Sequence, residues 1–91
     1  MKTLLLVEDE KLIRLGFRSI IERSEVDVEE IIECNNGEAA LEVLKNRDID
    51  VMFTDIRMPK MDGITLVAEA QKLNHIPLIA AISGFDDFEY A

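Results

Sequence analysis

Hydrophobic positions along this chain follow two alternating periods. Thr3 to Val7 is a short continuous apolar run, the pattern of a strand covered on both faces. From Lys11 to Arg23 the residues Leu12, Ile13, Gly16, Phe17, Ile20 and Ile21 recur at helical spacing, which predicts that they share one face of a helix. Val28 to Cys34, containing Ile31 and Ile32, reads as a second strand. Asn36-Gly37 suits a hairpin turn, but Glu38 to Lys45 has helical composition, so Asn36 is read as a helix N-cap. Val51 to Thr54 is a third strand, ending at Asp55. Ile64 to Leu73 is a third helix with Ile64, Val67, Ala70 and Leu73 on its apolar face. Leu78 to Ser83 is a fourth strand, and Asp86 to Ala91 opens another helix. Strands alternating with helices of this size predict an α/β fold, a parallel sheet with helices on both faces and right-handed connections. Without an internal repeat or a Ser/Pro-rich linker, residues 1–91 read as one domain.

Composition narrows the function classes. The chain has 91 residues, 48% of them hydrophobic, which is too apolar for a disordered acidic tail. A net charge of −9 repels nucleic-acid phosphates and anionic membranes and favours cations and basic partner surfaces. The longest apolar runs, Leu4 to Val7 and Ile76 to Ile82, fall far short of the ~20 residues of a membrane span. Glu8-Asp9-Glu10 stands where a signal peptide would have small residues. Cys34 is the single cysteine, which excludes an internal disulfide and a Cys-based zinc site and fits a reducing cytoplasm.

In open parallel sheets the site lies at the carboxyl ends of the strands. The first strand ends in Val7-Glu8-Asp9-Glu10 and the third in Phe53-Thr54-Asp55. If those strands are neighbours, Glu8, Asp9 and Asp55 share one pocket. Two carboxylates ~4 Å apart repel by about 4 kcal/mol at a surface-like dielectric, so three need a cation or a raised pKa. All-oxygen ligands with room for water suit Mg²⁺. After Asp55 the chain reads Ile56-Arg57-Met58-Pro59-Lys60-Met61-Asp62-Gly63, in which Pro59 and Gly63 shape a loop whose carbonyls could add ligands.

Val7-Glu8-Asp9-Glu10 and Asp55 to Gly63 resemble the two motifs of bacterial two-component response-regulator receiver domains. The resemblance continues through Asn36-Gly37-Glu38-Ala39 and Leu41 to Ile82-Ser83-Gly84-Phe85-Asp86-Asp87-Phe88-Glu89-Tyr90-Ala91, a stretch similar to receivers of AraC-type DNA-binding regulators. It implies a flavodoxin-like doubly wound sheet of strand order 2-1-3-4. It also implies that Asp55 is the phosphoacceptor and Asp9 a direct Mg²⁺ ligand alongside Asp55. Glu8 would act through water, Arg57 would offer its backbone carbonyl, and the Ser83 hydroxyl would reach the phosphoryl group. Phe88 or Tyr90 falls near an aromatic switch position. The implied partners are a sensor histidine kinase and a C-terminal output domain that binds DNA, with no nucleic-acid or membrane contact by this segment.

Such receivers continue into a fifth strand, which ends in a phosphoryl-pairing Lys, and a fifth helix. None of Lys2, Lys11, Lys45, Lys60 and Lys72 follows a fifth strand here. The expectation is a receiver incomplete at its C-terminus that either self-associates through the apolar edge of its fourth strand or is loosely packed. Two competing readings are a Mg²⁺-dependent phosphohydrolase with an Asp nucleophile and a binding-only pseudo-receiver. The first usually has a second Asp two residues on, where this chain has Arg57; the second is disfavoured by Asp9, Asp55 and Ser83 together. His75, in the loop before Ile76-Pro77, reads as an ordinary solvent-facing side chain and not a phosphorylated one, and Cys34 as a small buried hydrophobe.

Overall fold

In the computed structural model, which describes residues 2–82, strands and helices alternate strictly. The order is β1 (Thr3–Val7), α1 (Lys11–Arg23), β2 (Glu30–Cys34), α2 (Gly37–Asn46), β3 (Val51–Asp55), α3 (Gly63–Ala70) and β4 (Leu78–Ile82). All pairings are parallel, in the order β2-β1-β3-β4. β1 therefore lies between β2 and β3 and is covered on both faces, and its run Leu4 to Val7 is buried throughout. The doubly wound, flavodoxin-like sheet expected from the sequence is present, with β4 at the end of the sheet among the described residues.

Side-chain alternation divides the apolar residues between two layers. Leu5, Val7, Cys34 and Met52 face Ala40 and Leu44 of α2, Ile49, and Leu66 and Ala70 of α3 in the main core. Leu4 and Leu6 belong to the opposite face, in register with Ile31 and Glu33 of β2 and with Val51 and Phe53 of β3. On that side Leu4, Ile21, Val26, Val28, Val51 and Phe53 line an apolar cavity of about 120 Å³.

The expected α1 face divides into two rows. Ile13, Phe17 and Ile21 are half-buried, whereas Leu12, Gly16 and Ile20 form an adjacent i, i+4 row in the open, with Leu12 84% exposed. Spacing correctly groups these six residues, but only one row meets the sheet.

Helix α3 differs more from expectation. It ends at Ala70, because Lys72 and Leu73 donate to the carbonyls of Glu69 and Ala70, three residues back, and the last turn tightens out of the α-helix. Its buried face is Gly63, Leu66 and Ala70, while Ile64 is exposed. Of the expected face, Ala70 is buried in the core and Val67 and Leu73 pack against it, so only Ile64 departs; it borders a cavity of about 220 Å³ with Thr54, Ile56, Val67 and Ala81. Strand β2 starts at Glu30, not Val28, because its ladder begins with the Thr3–Glu30 pair at the start of β1. Asn36 is the N-cap of α2 as expected, its side chain accepting the Ala39 N–H at 2.8 Å. Cys34 is buried and His75 exposed. No helix among the described residues is long and apolar enough to cross a membrane.

Candidate functional site

Glu8 and Asp9 leave the C-terminal end of β1, and Asp55 is the last residue of β3. Because β1 and β3 are neighbours, with Val7 opposite Thr54, the three acids converge. One carboxylate oxygen from each lies within 4.8 Å of the others. Glu8 and Asp55 are buried and Asp9 is exposed, so the cluster has a closed floor and an open side. The Glu8 carboxyl is raised from 4.5 to about 8, by burial above all and by the neighbouring Asp9 and Asp55, against a lowering hydrogen bond from the Glu10 N–H. That backbone donor meets Glu8 Oε2 at 2.9 Å.

Asp55 is fixed by its own strand end and the loop beyond it. The Ile56 N–H donates to Asp55 Oδ1 at 2.8 Å and sets the plane of the carboxylate. The Gly63 N–H donates to the Ile56 carbonyl at 2.7 Å, closing the loop that begins at Asp55. A Cβ at Gly63 would overlap the Asp55 carbonyl oxygen and come within 2.9 Å of Ile56 Cα, so only glycine lets the start of α3 approach this closely. Lys60 turns the loop in the left-handed region (φ 68°), and the Met61 N–H reaches the Pro59 carbonyl at 2.8 Å. Asp62 caps α3 by accepting the Thr65 N–H at 2.8 Å, and that bond holds its carboxyl below the usual value.

The donor set fits a hard divalent cation. All three candidate side-chain ligands are carboxylates, two of them buried, and a cation among them would offset both the burial and the neighbouring acids that raise Glu8. Of the residues singled out from the sequence, Glu8, Asp9 and Asp55 are brought together, and Arg57 lies two positions past Asp55 in the shaped loop with its side chain exposed. Ile82 is opposite Asp55 in the β3–β4 register. Ser83, Phe88, Tyr90 and the helix expected from Asp86 lie outside the described residues.

Sequence reasoning did not single out Arg14 or Glu33. Arg14 Nε donates to Glu33 Oε1 at 2.8 Å and Arg14 Nη1 to the Glu8 carbonyl at 2.8 Å, while Arg18 Nη1 reaches Glu33 Oε2 at 2.5 Å. Burial disfavours the Glu33 charge, but the two arginines outweigh it and hold the carboxyl below its ordinary value. The available signal was an acid placed between Ile32 and Cys34 inside β2, in register with fully buried Leu6.

Comparison with known proteins agrees with this geometry. The family model described as "Response regulator receiver domain" matches residues 4–91. The transcriptional regulatory protein YesN of Bacillus subtilis is 33% identical over 91 residues, which is 100% of this chain and 25% of that protein. A response regulatory protein of Vibrio cholerae is 33% identical over 86 residues, covering 94% of this chain and 33% of the relative. The chain thus spans a quarter to a third of the curated relatives it matches. A crystal structure of a two-component transcriptional regulator AraC from Clostridium phytofermentans superposes with a TM-score of 0.83 at 34% identity, covering 100% of this chain and 73% of that one. With an acidic cluster at the ends of β1 and β3 that could hold a metal ion, and a family match over nearly its whole length, the chain belongs to the response regulator receiver domain family of two-component signalling systems.

Proposed function

We propose that this receiver accepts a phosphoryl group from a histidine kinase onto Asp55, with Mg²⁺ held by Asp9, Asp55, the Arg57 carbonyl and, through water, Glu8. The observation that carries the reading is the convergence of the three carboxylates at the C-terminal ends of adjacent strands, within 4.8 Å. The Ile56 N–H holds Asp55 Oδ1, leaving Oδ2 as the nucleophile. Oδ2 bonds to phosphorus as the bond from phosphorus to the donor nitrogen breaks, and that nitrogen keeps the electron pair and takes up a proton. The bound cation supplies neutralisation of the charge on the transferring oxygens. The Ser83 hydroxyl donates a hydrogen bond to the same group. Asp55 then carries a dianionic group beside Glu8 and Asp9. That change of local charge is the signal passed to an output domain. The output is transcriptional, a reading supported by the transcriptional regulators among the relatives, and the protein acts in the cytoplasm on this reading.

The test is incubation with a small acyl phosphate or phosphoramidate and Mg²⁺, followed by intact mass. A single phosphoryl adduct that hydrolyses slowly, and is absent from Asp55→Asn, is expected. Uptake by Asp55→Asn at the parent rate would overturn the assignment. Rapid multiple turnover of the donor would identify a phosphohydrolase, and the lack of any adduct a binding-only domain.

A further inference from the structure

We propose that Arg14 is a positioning residue for the acidic loop: held by Glu33, it fixes the Glu8 carbonyl and so presets Glu8 and Asp9 opposite Asp55. The inference rests on the cation-binding reading of that cluster. Glu8 is tied at three points. Its N–H donates to the Cys34 carbonyl at 3.0 Å, its carbonyl accepts Arg14 Nη1 at 2.8 Å, and its carboxylate takes the Glu10 N–H at 2.9 Å. The first is a backbone bond that any sequence could make and the third is local, through Glu8's own carboxylate; only the second reaches Glu8 from a side chain elsewhere, on α1.

Arg14 is suited to this by shape. Its guanidinium serves Glu33 through Nε and Glu8 through Nη1 at once, a fork that a lysine ammonium cannot reproduce. The Arg14 side chain is 16% exposed and Glu33 23%, so the link is partly shielded from water. The helix macrodipole does not account for it. Arg14 lies one turn into α1, where the helix dipole disfavours a cation. Without a cation the acids repel as they ionise, and Asp9, the exposed one, has room to swing away. Arg14 opposes that swing through the neighbouring carbonyl without touching the ligand oxygens.

Arg18 provides the internal control. It pairs with the same Glu33 but makes no bond to Glu8. Mn²⁺ binding, followed by the loss of the free-ion paramagnetic signal, reads the site directly in Arg14→Gln, Arg14→Lys and Arg18→Gln, with thermal melts alongside. Arg14→Gln is expected to weaken Mn²⁺ binding about 10-fold, the effect of losing a group that orients a ligand. Arg18→Gln is expected to stay within roughly twofold, as for a half-exposed ion pair. Arg14→Lys keeps the charge beside Glu33, so it is expected to melt near the parent and still bind Mn²⁺ more weakly. Equal losses in Arg14→Gln and Arg18→Gln, or parental affinity in a folded Arg14→Lys, would overturn the positioning role while leaving the cation site standing. A parent protein that does not bind millimolar Mn²⁺ would instead overturn the cation reading, and this inference with it.

Discussion

Gly37 and Met61 are in direct contact: a Cβ at Gly37 would overlap the Met61 carbonyl oxygen and come within 2.7 Å of Met61 Cβ. The N-terminus of α2 is thereby pressed against the loop that follows Asp55. Gly37→Ala sets a helix-propensity gain of up to about 1 kcal/mol against an overpacking cost of about 1–3 kcal/mol. Backbone atoms form the obstacle, so the cost wins. Urea denaturation is expected to show net destabilisation, whereas Glu38→Ala one position on, where the side chain is exposed, is expected to change little.

Glu8 makes stability depend on pH with a definite sign. Its carboxyl is raised from 4.5 to about 8 in the folded chain, so between those values the folded state binds more protons than the unfolded state. Without a divalent cation, stability is therefore greatest below pH 4.5 as far as Glu8 is concerned and falls as pH rises towards 8. Thermal melts in chelator are expected to show this decline, and Glu8→Gln, which stays neutral, is expected to flatten it.

Millimolar Mg²⁺ is expected to act in the opposite direction, raising the melting temperature more at pH 8 than at pH 5, because cation binding needs Glu8 ionised. Asp9→Ala is expected to remove most of that rise. A melt that does not respond to Mg²⁺ at either pH would contradict the cation-binding reading.

Leu66 is fully buried in the core between α2, α3 and the sheet. Leu66→Ala is expected to cost about 2–5 kcal/mol, a large fraction of the stability of a small domain. Ile64→Ala, at a position 69% exposed, is expected to cost far less. Chemical denaturation of the pair tests which face of α3 faces the core.

Asn36 caps α2 through the Ala39 N–H. Asn36→Ala is expected to cost about 1 kcal/mol, and Asn36→Asp, which keeps the acceptor, much less. Equilibrium unfolding of the two variants measures the cap.

Much of this molecule was legible locally. The apolar run Leu4 to Val7, the Asn36 cap and the placement of Glu8, Asp9 and Asp55 at strand ends all follow from periodicity and from residue types that act on their near neighbours. The order of strands and helices follows for the same reason, since each element's period is set over a few residues. The faces of α1 and α3 were only half legible. Periodicity shows which residues share a side, but not how much of that side finds a partner. Leu12 and Ile20 stay in the open, and α3 is apolar far enough round for Leu66 rather than Ile64 to enter the core. Tertiary structure alone decided what depends on elements far apart in the chain. The pairing of β1 with β3 turns two acidic strand ends into one cluster, the approach of Gly37 to Met61 seats the loop, and the reach of Arg14 from Glu33 to the Glu8 carbonyl ties α1, β2 and the acidic loop together. Such contacts depend on register and on three-dimensional distance, which residue spacing within one segment does not encode.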